Sequence, residues 1–131
     1  MSTRREARER ALGLCYEVEV RDVDLEQLLA ELPATPDAFA LDLARGVAAQ
    51  RDELDALLGK FSEHWAVDRM PAVDRAILRI GCYELQQGEI PAPVVISEAV
   101  ELAKQYSTKD SGRFVNGLLA RIADELGKPA A

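Results

Sequence analysis

Pro71-Ala72-Val73-Asp74-Arg75-Ala76-Ile77-Leu78-Arg79-Ile80-Gly81-Cys82-Tyr83-Glu84-Leu85-Gln86-Gln87-Gly88 is the stretch that decides the fold of this chain. Wound as a helix, it is apolar around much of its girth, through Val73, Ala76, Ile77, Leu78, Ile80, Cys82, Tyr83 and Leu85. A helix of that kind belongs in the middle of a bundle, because no face of it is suited to water. Pro71 fits the start and Gly88 the position just past the end, so the helix is expected from Pro71 to about Gln87. Gly81 costs about 1 kcal/mol relative to alanine inside a helix, and a tight helix–helix approach would justify it. Arg75 and Arg79 lie one turn apart on this apolar helix. Charges there must face a groove, a partner or an internal acid.

The same periodicity extends in both directions. Upstream, Ala7, Ala11, Leu14, Cys15 and Val18 form one stripe on a helix of about residues 4–20, with Arg4, Arg5 and Arg8 at its start and largely off the stripe. Leu25, Leu28, Leu29 and Leu32 mark a short helix over about 24–32, stopped by Pro33. Thr35-Pro36-Asp37 reads as the next start, with Thr35 as N-cap and Pro36 at the first helical position. Helical pattern then runs to about Trp65, with a break expected near Gln50 or Gly59. Downstream, Pro91 and Pro93 bracket the turn into a helix carrying Val95, Ala99, Leu102, Ala103 and Tyr106. Ser107-Thr108-Lys109-Asp110 resembles a capping box with Asp110 at its third helical position. Phe114, Val115, Leu118, Leu119, Ile122 and Leu126 build the last helix, closed by Gly127 and Pro129. Strand-like alternation, internal repeats and long linkers are absent. The expectation is an all-α fold of six or seven helices in one compact bundle.

Composition agrees. Of 131 residues, 48% are apolar, enough for a core, and 30% are charged, enough to keep the surface wet. No apolar run approaches the roughly 18 residues of a membrane span, and no apolar stretch typical of a signal peptide follows Met1-Ser2-Thr3-Arg4-Arg5-Glu6. A cytoplasmic protein without membrane contact is expected. Cys15 and Cys82 lack metal-ligand spacing and are read as small buried thiols. The net charge of −7 argues against a general nucleic-acid coat, but it is unevenly spread. Residues 17–63 hold 4 basic and 12 acidic side chains, whereas residues 1–16 hold 4 basic and 2 acidic ones. The N-terminus and the second half are thus available to an anion.

A search for catalytic chemistry finds little. His64 is the single histidine, with no evident partner for acid–base work, and reads as a solvated or helix-end residue. The pairs Asp52/Glu53 and Glu98/Glu101 read as solvated helix faces rather than a metal site. No phosphate-binding glycine loop, nucleophile elbow or zinc-protease motif is present. No enzyme activity, cofactor or metal is expected. Binding signals are better. Arg4 and Arg8 lie one turn apart, and guanidinium groups suit phosphate because they chelate it and stay charged. Asp110-Ser111-Gly112-Arg113-Phe114 brings a helix start, a cation and an aromatic together. Helix starts attract phosphate and aromatics stack unpaired bases. For Phe114, a core role and an RNA contact stand equally.

Taken in order and spacing, several segments resemble the NusB family of transcription antitermination factors. The resemblance is clearest in Pro71 to Ile80 and in Tyr83-Glu84-Leu85. It continues through Val95-Ile96-Ser97-Glu98-Ala99-Val100-Glu101-Leu102-Ala103-Lys104 and Phe114-Val115-Asn116-Gly117-Leu118-Leu119, and Arg4-Arg5-x-Ala7-Arg8-Glu9 resembles the family's arginine-rich start. It implies two helical subdomains, about 1–66 and 67–131, in a single RNA-binding domain. It implies binding to single-stranded boxA RNA with the small-subunit ribosomal protein NusE. That complex joins other Nus factors and RNA polymerase and favours read-through in ribosomal RNA operons. Carried over by motif, Arg4, Arg5 and Arg8 would contact RNA phosphates, Arg79, Asp110, Arg113 and Phe114 would lie along the same RNA path, and Tyr16 and Asp74 would meet NusE. The acidic middle suits a basic ribosomal protein.

Two positions depart from the family's pattern. Glu6 sits inside the arginine cluster, where relatives often carry another basic residue, and lowers the local charge. Ser97 stands where the family usually has Asn, which would alter a polar cap or loop bond. The alternatives are a helical protein–protein adaptor without RNA binding, or an RNA-binding domain related to that of ribosomal RNA cytosine methyltransferases. Both a monomer and a homodimer fit.

Overall fold

The computed structural model describes residues 3–63 and 65–128, so the expectation for His64 lies outside the described residues. Among them there are seven α-helices, one 3-10 turn and no strand. The helices are α1 (Arg4–Arg21), α2 (Leu25–Glu31), α3 (Ala38–Ala49), α4 (Arg51–Phe61), α5 (Ala72–Gln87), α6 (Ala92–Tyr106) and α7 (Lys109–Glu125), with the 3-10 turn at Val67–Arg69. None of the described helices is long and apolar enough to cross a membrane.

The apolar girth of α5 has the expected consequence. Every residue from Ala76 to Leu85 is buried, and the helix packs against α1, α3, α4, α6 and α7. Leu12, Leu43, Leu54, Leu58, Ile77, Leu102, Leu119 and Ile122 belong to one continuous core drawn from these helices. Burying each such side chain contributes about 1.5–3 kcal/mol. A smaller cluster of Leu14, Leu25, Leu28 and Ala44 fastens α2 to α1 and α3. The subdomain boundary expected near residue 66 falls in the loop after α4, and the main core draws on helices from both sides of it.

Two glycines set the close approaches to α5. A Cβ on Gly46 would stand 2.1 Å from the Tyr83 ring, and one on Gly81 would stand 2.8 Å from Leu119 Cδ1. The approach of α7 thus explains a glycine inside α5. Gly88 ends α5 with φ 70°, a left-handed cap that glycine adopts without strain.

Several helix boundaries differ from the sequence expectation, each for a local reason. The N-cap of α3 is Asp37 rather than Thr35, because its carboxylate accepts from the Phe39 N–H at 2.9 Å. The long helical run breaks at Gln50 (φ −113°, ψ 19°) and not at Gly59. Helix α4 stops at Phe61 instead of Trp65, where Ser62 turns extended and its hydroxyl donates to the Trp65 carbonyl at 2.6 Å. That bond offers the backbone an alternative to another helical turn. The cap of α7 is Thr108 rather than Ser107, with Ser111 at the position expected for Asp110. Ser97 lies exposed within α6, away from any cap or loop.

Both cysteines are free thiols. Burial pushes Cys15 and Cys82 from 9.0 up to about 12, with nearby Arg79 and Arg51 pulling Cys15 the other way and Asp55 adding to the rise at Cys82.

Candidate nucleic-acid interface

The start of α1 is built around a reciprocal cap. Thr3 Oγ1 accepts from the Glu6 N–H at 3.0 Å, and the Glu6 carboxylate accepts from the Thr3 N–H at 3.1 Å. The Thr3 backbone and hydroxyl bonds hold the Glu6 carboxyl below its ordinary value. Glu6 therefore has a structural task inside the arginine cluster. Arg4 is exposed, its guanidinium 4.4 Å from the centroid of the Phe39 ring. Arg5 reaches across to α6 and donates twice to Glu98 Oε2, at 3.2 and 2.9 Å, while its side chain stays 60% exposed.

Arg8 behaves differently. It is 3% exposed and donates to both oxygens of Glu84 on α5, at 3.0 and 2.8 Å. Arg79 is buried too, donating to the two Asp55 oxygens at 2.7 and 2.8 Å and to Glu19 at 3.4 Å. Arg75 pairs with Glu19 and donates to the carbonyls of Val67 and Met70. Of the three settings open to charges on α5, two are found together: Arg75 and Arg79 pair with acids of the chain, Glu19 and Asp55, at the wall of a groove. Asp74 is fully buried and accepts from the Ser111 hydroxyl at 2.8 Å, tying the start of α5 to the start of α7. In the free chain, then, Arg8, Arg79 and Asp74, all expected at binding faces, are engaged with groups of the chain itself. Their side chains are already held inside the fold, and a ligand would have to break those bonds to reach them.

On α7, Asp110 and Arg113 are exposed in the first two turns. Phe114 is half-buried: one side packs on the core, and its ring meets Trp65 edge to face with centroids 5.2 Å apart. Core role and exposed aromatic thus coexist in this residue. Helix α6 lies between the two basic starts. Arg5 rests on its Glu98, and the Lys104 side chain passes 3.4 Å from where a Gly112 Cβ would be.

A second feature lies along α1. Glu9, Leu12, Gly13, Tyr16, Val73 and Tyr106 line a mostly apolar groove of about 210 Å³. Tyr16 is 39% exposed there, and the Tyr106 hydroxyl donates to Glu9. That bond raises the Tyr106 phenol above its ordinary value. Tyr16 was expected at a partner face; Gly13, Val73 and Tyr106 were not singled out. The spacing of Glu9, Gly13 and Tyr16 at i, i+4 and i+7 was the available signal, since it places them on one helix face.

A central apolar helix packed against five of the six others, with basic helix starts on either side of α6 and an apolar groove along α1, defines a small all-α bundle. The model of the NusB family matches residues 5–124. The transcription antitermination protein NusB of Saccharopolyspora erythraea is 46% identical over 130 residues, covering 94% of this chain and 88% of its own. That of Solibacter usitatus is 40% identical over 139 residues, covering 100% and 95%. Among solved structures, T. maritima NusB superposes with a TM-score of 0.84 at 40% identity, over 95% of this chain and 92% of its own. A crystal structure of antitermination factors NusB and NusE in complex with dsRNA gives 0.79 at 27% identity, over 93% and 96%. The chain belongs to the NusB family of transcription antitermination proteins.

Proposed function

We propose that this chain binds single-stranded boxA RNA together with the ribosomal protein NusE. Through that complex, with other Nus factors and RNA polymerase, it promotes read-through in ribosomal RNA operons. It works in the cytoplasm by binding, without catalysis. The observation that carries this reading is the placement of exposed cations and an aromatic at two helix starts that both meet α6, Arg4 and Arg5 on α1 and Arg113 and Phe114 on α7. Phosphate contacts from the arginines supply affinity, and a half-exposed ring supplies stacking. Asp110, a carboxylate, faces a base or ribose rather than phosphate. Arg8 and Arg79 act as positioning residues, since each holds a neighbouring helix by an ion pair, buried for Arg8 and part-buried for Arg79. The relative solved with NusE and dsRNA supports both partners. An exposed aromatic suits an unpaired base better than a duplex, whose bases are already stacked.

The groove beside Tyr16 is the proposed NusE face. It is apolar at its centre, as interface cores are, and the acidic surface of the first half complements a basic ribosomal protein. Asp74 supports that face from beneath, next to Val73, through its bond to Ser111.

The test is titration of labelled boxA RNA with the chain alone, with NusE alone and with both. Salt-sensitive binding, tightened by NusE, is expected, and Arg113→Ala should lower the salt slope by about one. Binding of NusE without RNA binding would favour the adaptor reading. Absence of RNA binding by the chain and by its mixture with NusE would contradict the proposal.

A further inference from the structure

Trp65 stands out among the exposed apolar side chains. It is 45% exposed, and its ring meets that of Phe114, which packs on the core. The rings are 70° apart. An edge-to-face pair of this kind leaves aromatic surface open that a face-to-face stack would hide.

The backbone that carries the ring is also held in place. Ser62 Oγ donates to the Trp65 carbonyl at 2.6 Å. From α7, Arg121 donates to the Phe61 carbonyl at 3.2 Å and pairs with Glu63 at 3.3 Å. The chain on the N-terminal side of Trp65 is thereby clipped to the helix that carries Phe114. Gly117 follows Phe114 by almost one turn, and a Cβ there would meet nothing within 4 Å, so the surface beside Phe114 is bare. Arg113 and Arg69 are exposed nearby in sequence to the two rings. An exposed aromatic pair with cations within four residues along the chain has the composition of a stacking site on a single-stranded nucleic acid, where rings take bases and guanidinium groups take phosphates.

Resting on the RNA-binding reading above, we propose that Trp65 and Phe114 form a two-ring shelf on which an unpaired RNA base stacks, with Trp65 as the outer ring. The shelf makes Trp65 a direct RNA contact, set by the loop after α4 rather than by either arginine-bearing helix.

Trp65 is the single tryptophan of the chain, so its emission reports on this residue alone. The experiment titrates the full chain, with NusE present, with a single-stranded boxA oligoribonucleotide. Binding is followed by the anisotropy of a label on the RNA and, in parallel, by indole emission. Expected are quenching of Trp65 at saturation, roughly tenfold weaker binding for Trp65→Ala, and recovery of most of that loss in Trp65→Phe, which keeps a ring. RNA that binds while Trp65 emission stays unchanged, or Trp65→Ala that binds as tightly as the parent chain, would overturn the shelf and leave the RNA-binding reading intact. RNA that fails to bind in the anisotropy channel would overturn that reading, and the shelf with it. The emission arm uses the unaltered protein, so it decides the matter even if Trp65→Ala misfolds.

Discussion

Arg5 and Arg8 sit three residues apart on α1, one exposed and one inside the fold, so substituting them should have different effects. Arg8→Ala would leave the buried Glu84 carboxylate without its partner, and a loss of about 3–5 kcal/mol is expected in denaturant unfolding. Arg5→Ala should change stability by less than about 0.5 kcal/mol, because an exposed pair such as Arg5–Glu98 contributes little. It should instead weaken RNA binding and lower its salt slope by about one. Gly13 gives a prediction of opposite sign. Nothing lies within 4 Å of a Cβ there, so Gly13→Ala should stabilise the free chain by about 0.5–1 kcal/mol. The added methyl enters the groove beside Tyr16, so NusE binding should fall, which calorimetric titration would detect. The thiols supply a pH dependence. Folding raises Cys15 and Cys82 to about 12, so the protonated thiols contribute fully below the ordinary thiol value of 9.0. That contribution is lost as the pH rises from there toward about 12. At pH 8 a thiol reagent should label the folded chain slowly and the denatured chain fast, because the reactive species is the thiolate.

Helix α6 carries Glu98, the acid that would compete with RNA for Arg5. Glu98 is bound by Arg5 twice through one oxygen, and a phosphate must displace it to take both donors. Glu98→Gln should therefore tighten RNA binding a few-fold at low salt, with the gain fading as salt screens the pair, as RNA titrations at two ionic strengths would show. The elements themselves were largely legible in the sequence, because a period of 3.6 persists through every helix and α5 declares its central place by its girth. The ends were less legible. Asp37 and Thr108 won the caps through side-chain bonds that neighbouring Thr35 and Ser107 seemed equally able to make. Arg4, Arg5, Asp110 and Arg113 are exposed, as charged residues near helix starts commonly are, and their proposed RNA roles came from the family resemblance. The inward turn of Arg8 was not legible, since its partner Glu84 is 76 residues away and a charge count carries no pairing. Trp65 was hidden for a related reason: its meaning depends on Phe114, which only the packing of the loop after α4 against α7 brings near.

At the scale of the molecule, α5 touches helices from both halves of the chain, and one core runs across the proposed subdomain boundary. The division near residue 66 is proposed to be one of topology, not of stability. A single cooperative unfolding transition is expected, with circular dichroism and Trp65 emission coincident; two separated transitions would show independently stable halves. Net charge shapes function at this scale too. With −7 overall and an acidic first half, the chain repels polyanions at long range, so the proposed RNA contact must be local. A basic ribosomal protein bound to that acidic half offsets the repulsion, so the two ligands should bind with positive coupling. The most direct test is the affinity of the chain for boxA RNA with and without NusE at moderate salt, with the mass of each complex determined. A complex holding one copy of each component, tighter than either pair, is the predicted result. RNA affinity unchanged by NusE, or no complex of the three, would contradict the account.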